Sequence, residues 1–273
     1  FIKTLSASAV VCTLPGISRA QGTGSHPPNI LLMVSDDQGY NDLSGYGSKN
    51  ITTPHFDKIA AQGMRFTDFY APSSICSPSR AGLMTGRFPS RCGIYTFIPA
   101  DGDKFANVSP MHLARTEVTI PQLLKNRGYS TCHLGKWHLS HLNNDTWKGH
   151  HPDQPQPKDF GFDYSFGTTN NALPNHKNPQ NFIRNGKKVG NLEGYSSQLV
   201  VAEGIQWLKQ RGDKDKPFFM YLGFHEPHEI VAAPQEMIDR HVGTNENLKT
   251  YFACIENMDD AIGRLMDYLD ETG

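Results

Sequence analysis

The stretch NILLMVSDD, residues 29–37, decides the fold class of this chain. Residues 29–34 form a continuous apolar run, which is typical of a strand buried on both faces of a parallel sheet. Further along, short apolar runs alternate with segments of helical periodicity, as in proteins built on a parallel α/β sheet. We therefore predict an α/β fold in which helices flank a mostly parallel central sheet.

The same patterns predict the remaining elements. Thr53 as cap, Pro54 in the first turn and Gly63 at the end predict a helix over 53–63. Other runs predict strands at 64–70, 129–134 and 217–224 and helices at 120–127, 197–210 and 248–269.

Two polar regions lie outside or on the surface of this predicted core. Residues 143–195, rich in Asn, Pro, His and Gly, are predicted to be a loop-rich insertion and not a linker between domains. Asp259 and Asp260 fall on the last helix and are interpreted as surface charges.

Composition excludes two classes of partner. The 273 residues are 37% hydrophobic, enough to bury a sizeable core. With 26 basic and 27 acidic residues, the net charge of -1 provides no field to attract nucleic acid or an anionic membrane. Any recognition of an anion must therefore be local.

Residues 1–20 are interpreted as a truncated signal peptide. They contain one lysine, an apolar run too short to span a bilayer, and Ser18-Arg19-Ala20, an A-x-A-like cleavage site before Gln21. A disordered N-terminus is the alternative. We expect an exported protein, periplasmic or secreted, whose mature chain begins near residue 21 and which has no membrane span.

The cysteines do not form a disulfide scaffold. Of five, Cys12 lies in the signal segment, and four are too few for a disulfide framework in a chain of this length. Cys132 and Cys254 lie in apolar segments and are expected to be core thiols. Cys76, at the start of the small-residue segment CSPSRAGLMTGR, needs another explanation.

Three polar clusters follow predicted strands: Asp36-Asp37, residues 135–138 (GKWH) and residues 225–228 (HEPH). Open α/β sheets bind ligands at the carboxyl ends of their strands, so we expect the clusters to share one site. Adjacent carboxylates repel one another unless a cation lies between them, and oxygen ligands suit Ca²⁺ or Mg²⁺. A turn capped by aspartate is the alternative.

The basic residues of these clusters are open to more than one interpretation. Lys136 and His138 are either part of the site or solvated loop residues. His225 and His228 lack the i, i+4 helical spacing and the cysteine partner of common zinc sites. A proton donor and an anion binder fit the 225–228 loop better than a zinc site does.

With those clusters in place, residues 76–87 match the pattern C-x-P-S-R-x-x-x-x-T-G-R of the type I sulfatases. The chain resembles this formylglycine-dependent, arylsulfatase-like family of the alkaline phosphatase superfamily. The resemblance extends over essentially everything after residue 28. It includes Asp36-Asp37-Gln38-Gly39, the helix start at residues 53–55, residues 135–139 (GKWHL) and the histidine loop at 225.

The resemblance implies that Cys76 is converted to Cα-formylglycine by a formylglycine-generating maturation enzyme, whose recognition signal includes Pro78 and Arg80. The hydrated aldehyde offers one hydroxyl to attack sulfur and another to expel sulfate. A cysteine thiolate, favoured by a helix N-terminus and Arg80, is the alternative. It would give a dead-end adduct.

The resemblance also implies roles for the other residues. Asp36, Asp37 and the oxygen at position 76 would hold a divalent cation, Ca²⁺ in preference to Mg²⁺. Arg80 and Lys136 would share the charge of the sulfate, and His138 would take a proton from the diol. His225 would protonate the leaving group, and the substrate would be bound by Lys136, His225 and His228.

The predicted function is hydrolysis of an organic sulfate ester. The substrate is expected to be a sulfated small molecule or carbohydrate, and a sulfated carbohydrate is favoured. Two alternatives stay open: a phosphate mono- or diester hydrolase of the same superfamily, and a non-catalytic glycan-binding relative. Ca²⁺ takes roughly 6 to 8 oxygen ligands, more than this sequence supplies, and the resemblance implies that the remaining ligands and a second lysine lie beyond residue 273. Residues 21–273 would then be the N-terminal portion of the catalytic domain, inactive alone, with the C-terminal part missing.

Overall fold

The computed structural model describes residues 27–99, 105, 107–143 and 153–272. The predicted signal peptide lies outside these residues. Six strands form one sheet in the order β1-β6-β2-β3-β4-β5. The strands are β1 (Ile30–Asp36), β2 (Ser130–Lys136), β3 (Tyr164–Thr168), β4 (Ile183–Arg184), β5 (Lys187–Lys188) and β6 (Phe218–Pro227).

The four longer strands, β1, β6, β2 and β3, pair in parallel, and only the two-residue strands β4 and β5 are antiparallel. The helices are α1 (Pro54–Gln62), α2 (Cys76–Thr85), α3 (Ile120–Lys125), α4 (Ser196–Gln210), α5 (Gln235–Ile238) and α6 (Glu246–Thr272). This is the predicted mostly parallel α/β fold.

The core has two layers because the side chains of β6 alternate between the faces of the sheet. Met220 and Leu222 join the cluster formed with α4 and α6 on one face. Phe219 and Tyr221 join the cluster that includes Met84 of α2 on the other. Among the described residues, no helix combines the length and the apolar character needed to cross a bilayer.

Two predicted regions differ from the structure. Residues 64–70 do not form a strand; Phe69 and Tyr70 are 80% and 82% exposed, so their apolar side chains bury no face against a sheet. Residues 143–195 are not simply a loop-rich insertion, since they contain β3, which pairs along its full length with β2.

The start of α1 is capped by a residue that is distant in the sequence. Thr53 makes no side-chain cap to α1; its hydroxyl oxygen instead lies 2.8 Å from Ser44 Oγ. The Asp259 carboxylate accepts hydrogen bonds from the backbone N–H groups of His55 and Phe56, at 3.2 and 2.8 Å. Asp259 is therefore buried and not a surface charge, whereas Asp260 is exposed, as predicted.

Candidate active site

The three predicted polar clusters meet at one edge of the sheet. β6 lies between β1 and β2 and is parallel to both, so their carboxyl ends lie side by side. Asp36 ends β1, Lys136 ends β2, and the 225–228 loop begins in the last residues of β6. The expectation that these clusters share one edge is confirmed.

Glycines allow the strand ends to approach closely. Gly135 of β2 pairs with Gly167 of β3 on one side and Gly223 of β6 on the other. Gly135 has φ +88°, and a Cβ there would clash with the carbonyl of Gly223. A side chain at this level would push apart the strands that place Lys136 beside Asp36.

Cys76 begins α2 and faces the same edge. It lines a cavity of about 310 Å³ together with Asp36, Asp37, Ser79 and Arg80. The first turn of a helix presents backbone N–H groups and a partial positive charge, both of which favour an anion. The cavity therefore combines a potential nucleophile position with groups of both charges.

Arg80 and Lys136 are buried cations that share one carboxylate. Lys136 Nζ lies 2.5 Å from Asp36 Oδ2, and Arg80 Nη2 lies 3.4 Å from Asp36 Oδ1. Arg80 Nη1 also donates to the backbone carbonyl of Lys136 at 3.0 Å and to the hydroxyl of Tyr221 at 2.9 Å. The guanidinium is thus fixed by three elements of the fold.

The charges of this cluster set the protonation of Asp36. Burial alone would raise the pKa of this carboxyl, but Arg80 and Lys136 outweigh burial and hold its pKa well below its usual range. Two cations face this one buried anion, and the second carboxylate of the cavity, Asp37, pairs with neither of them. Arg80 and Lys136 are therefore the positive groups that an anionic ligand would meet.

The Cys76 thiol is not activated by this environment. Burial raises the pKa of Cys76, and neighbouring Lys136 and Arg80 only partly oppose the effect. A thiol with a raised pKa is protonated near neutral pH and is a weak nucleophile. The local electrostatics therefore disfavour the thiolate alternative.

His138 is a neutral, buried base. Its Nε2 lies 2.9 Å from the carbonyl oxygen of Ile98, so Nε2 carries the proton. The backbone N–H of Ile98 in turn donates to Ser77, the residue after Cys76. Burial, together with Lys136, holds the pKa of His138 well below its usual range, and its Nδ1 has no hydrogen-bond partner in the described part of the chain.

His225 lies inside the fold and does not line the cavity. Its Nε2 is 2.7 Å from the Thr168 hydroxyl and its Nδ1 is 2.7 Å from the Ser196 hydroxyl. Thr168 donates its own proton to the carbonyl of Asn170, so Nε2 donates to Thr168 and Nδ1 accepts from Ser196. Burial holds the pKa of His225 well below its usual range. Both ring nitrogens are used, which leaves none to protonate a leaving group.

His228, predicted to bind the substrate, lies at the rim of the site. Its side chain is 26% exposed, and its Nε2 lies 3.5 Å from Asp37 Oδ2 at the rim of the site. Its Nδ1 lies 2.6 Å from the carbonyl oxygen of Glu229 and therefore carries a proton. Nε2 is the ring nitrogen available to a ligand.

The donor set suits part of a shell for a hard divalent cation. Asp36 and Asp37 supply carboxylate oxygens next to position 76, the ligand type that Ca²⁺ and Mg²⁺ prefer. Within the described ranges, no group of three or more His, Cys, Asp or Glu side chains is placed to hold a metal. These residues fit as a partial metal site, to which further oxygen ligands must be added.

Sequence reasoning did not identify two residues of this site. Tyr221 lies mid-strand in an apolar run, and only its hydrogen bond to Arg80 reveals its part in the site. Asn171 follows β3, which was not recognised as a strand, and its amide oxygen accepts from Lys136 at 3.1 Å. Recognition of β3 would have placed Asn171 at the same sheet edge.

The chain matches known proteins over nearly all of the described region. The family model described as Sulfatase matches residues 28–273. N-acetylgalactosamine-6-sulfatase of Sus scrofa is 34% identical over 262 residues, covering 89% of this chain and 47% of the relative. Arylsulfatase A of Homo sapiens is 48% identical over 267 residues, covering 91% of this chain and 50% of the relative.

A solved structure supports the same comparison. The crystal structure of Ps i-CgsB in complex with k-i-k-neocarrahexaose aligns with a TM-score of 0.77 and 30% identity, covering 89% of this chain and 55% of the other. The chain spans about half the length of the curated relatives it matches.

Proposed function

The chain belongs to the sulfatase family, and from this premise we propose that the complete protein hydrolyses a sulfate ester. One observation carries the proposal. Cys76 of the sulfatase motif lies at the start of α2, in a cavity lined by Asp36, Asp37 and Arg80, and Asp36 is paired with Lys136.

The nucleophile is formylglycine, formed from Cys76 by a formylglycine-generating enzyme. In hydrated form this group supplies one hydroxyl to attack sulfur and a second to release the product. The raised pKa of the Cys76 thiol supports this over a thiolate, because burial keeps the thiol protonated.

Asp36, Asp37 and the modified residue 76 would hold Ca²⁺ in preference to Mg²⁺, with further ligands from the rest of the protein. When bound, the cation would acidify the hydroxyl at position 76 and neutralise sulfate oxygens. The paired carboxylates at the cavity support this assignment.

Arg80 and Lys136 bind and stabilise the negative charge around sulfur. Both are buried and fixed by hydrogen bonds before any substrate arrives. Charges held in place need no reorganisation during the reaction, and such preorganised electrostatic stabilisation is usually the largest single contribution to catalysis. Their separation from water by burial increases the effect.

Two histidines exchange protons with the reacting groups. His138, with a proton on Nε2 and no partner on Nδ1, accepts a proton from the group at position 76 through Nδ1. His228 replaces His225 as the donor to the leaving alcohol, because its Nε2 faces the site and the nitrogens of His225 do not. General acid catalysis of this kind contributes about 10²- to 10⁴-fold.

The substrate is proposed to be a sulfated carbohydrate met outside the cytoplasm. One relative is named N-acetylgalactosamine-6-sulfatase, and one solved structure is a complex with k-i-k-neocarrahexaose. Export is supported by the signal-like sequence of residues 1–20. Among the described residues, the 850 Å³ groove that adjoins Asp37 and His228 offers space for the alcohol part of the ester.

The test uses the complete natural protein co-expressed with a formylglycine-generating enzyme and supplied with Ca²⁺. Peptide mass should show the Cys76 thiol replaced by an aldehyde or its hydrate, and the protein should hydrolyse 4-nitrophenyl sulfate faster than 4-nitrophenyl phosphate. Cys76→Ala, which cannot be converted, is the matched control and should be inactive. Faster phosphate hydrolysis would favour a phosphoesterase, and an unmodified Cys76 beside a converted control sulfatase would favour a non-catalytic binder.

A further inference from the structure

We propose that Asn171 is a positioning residue that aligns Lys136 and His228 with one another. The inference rests on the proposed function, in which Lys136 binds sulfate and His228 protonates the leaving group. Asn171 does not itself react. Its amide fixes the distance between the group that holds sulfur and the group that donates the proton.

The fold brings Asn171 across two strand ends. It lies three residues after the end of β3, which neighbours β2, and β2 neighbours β6. Lys136 is the last residue of β2, and His228 directly follows β6. A side chain from the β3 end must therefore pass over the end of β2 to reach the loop after β6.

Both the oxygen and the nitrogen of the Asn171 side-chain amide make contacts across these strand ends. Oδ1 accepts a hydrogen bond from Lys136 Nζ at 3.1 Å. Nδ2 donates to the carbonyl oxygen of Glu229 at 3.0 Å and lies 3.0 Å from His228 Nδ1. The ammonium of Lys136 is thus held between Asn171 and Asp36.

The Glu229 carbonyl couples Asn171 to the tautomer of His228. This oxygen accepts from both Asn171 Nδ2 and His228 Nδ1. With Nδ1 committed to the carbonyl, Nε2 is the nitrogen left to exchange a proton with a ligand. Loss of the Asn171 amide would free the 228–229 backbone and allow the ring to turn or change tautomer.

Asn171 is itself held by the fold. Asn181 Nδ2 donates to the backbone carbonyl of Asn171 at 2.9 Å, and Asn181 Oδ1 accepts from the backbone N–H of Leu173 at 2.9 Å. Asn181 is buried, so the segment after β3 is fixed to the core. An amide whose backbone is fixed in this way is suited to hold another group in position.

The kinetic test compares Asn171→Ala with wild type in the complete, converted protein, using 4-nitrophenyl sulfate and phenyl sulfate. Phenol is the poorer leaving group and needs protonation more. We expect kcat for phenyl sulfate to fall by about 10²-fold, the lower range for general acid catalysis, and kcat for 4-nitrophenyl sulfate to fall several-fold less. Asn171→Ser, which keeps a hydroxyl, should lose less on both and replaces Asn171→Ala if that variant does not fold.

Asn170→Ala is the matched control, since it alters the same loop but none of the contacts with Lys136 or His228. It should leave the ratio of the two kcat values unchanged. An equal fall for both esters in Asn171→Ala, or no fall, would overturn the positioning role.

A second measurement does not depend on activity. With the His228 ring in its neutral form, its ¹⁵N shifts, assigned with His228→Gln, should show the proton on Nδ1 in the wild type and a mixture of tautomers in Asn171→Ala. If the wild type hydrolyses neither ester, the proposed function fails, and the ring shifts still decide the role of Asn171. Identical ring shifts in the two proteins would overturn it.

Discussion

Lys136 and Lys58 each pair with an aspartate, but in opposite surroundings. The side chains of Lys136 and Asp36 are 0% and 5% exposed, whereas those of Lys58 and Asp270 are 45% and 62% exposed. An exposed pair contributes roughly 0–1 kcal/mol to stability. A buried pair must also offset the cost of removing both charges from water, so it is a weak source of stability.

The difference indicates what each pair is for. Well-packed apolar residues in place of a whole buried charge cluster are often at least as stable, so stability is a poor explanation for buried charges at this sheet edge. Binding of an anion does explain them, because desolvated charges interact strongly with a ligand. Variants of the two pairs, and of one further buried group, sharpen this comparison.

Lys136→Met tests whether the buried pair serves activity, and it has the largest expected effect. Methionine keeps much of the side-chain volume but removes the charge that is proposed to bind sulfate. We expect kcat/KM for 4-nitrophenyl sulfate to fall about 10²- to 10³-fold, as when one preorganised donor is lost. Thermal unfolding checks that the fold is retained, and near-wild-type turnover would remove Lys136 from the site.

Asp36→Asn tests how much stability is lost when the buried cations have no carboxylate partner. It leaves Lys136 and Arg80 buried without their carboxylate, and uncompensated buried charges cost about 3–5 kcal/mol. Urea unfolding of the complete protein should show that loss, and Asp36→Asn combined with Lys136→Met should recover part of it. The exposed counterpart, Asp270→Asn, should change stability by less than about 1 kcal/mol.

His133 is a buried side chain whose contribution to stability depends on pH. It lies among Trp137, Phe162 and Tyr221, and burial lowers its pKa from 6.5 to about 3. The unfolded state binds the His133 proton more readily than the folded state does. The contribution of neutral His133 to stability is therefore present above pH 6.5 and is lost as the pH falls towards 3. At pH 5.5 the linked loss is about 1.4 kcal/mol.

His133→Phe removes this titration and keeps an aromatic ring in the cluster. The loss of stability between pH 7.5 and pH 5.5, measured by urea unfolding, should therefore be about 1.4 kcal/mol smaller than in the wild type. Phe162→Leu, a change in the same cluster that removes no titrating group, should keep the wild-type slope. Equal slopes for His133→Phe and wild type would contradict the assignment.

Lys58→Ala has the smallest expected effect. Its ammonium lies 3.2 Å from Asp270 and 3.8 Å from Asp267, both of them exposed. The change in unfolding free energy should be within about 0.5 kcal/mol and smaller still at high salt, because salt screens exposed charges. A loss of unfolding free energy close to that of Asp36→Asn would contradict the difference proposed between the buried and the exposed pair.

Sequence reasoning succeeded where a local pattern is tied to one structure. The apolar run before Asp36 predicted β1, and the shared direction of parallel strands predicted that Asp36 and Lys136 would meet. It failed at residues 64–70, where apolar side chains remain exposed, and at β3, whose Gly167 and small residues give a weak strand pattern. A strand depends on a neighbour, and neighbours are not visible along the chain.

The sequence by itself determined the family motif at Cys76, the mostly parallel sheet and the edge at which the charged residues gather, because these follow from residue type and period. Only the tertiary structure decided that His228 and not His225 lies beside Asp37 at the rim of the site, that Asp259 caps α1 and that Asn171 reaches Lys136. Each of these contacts joins segments through the packing of different strands and helices. Their distances depend on the register and rotation of those elements, which no local pattern specifies.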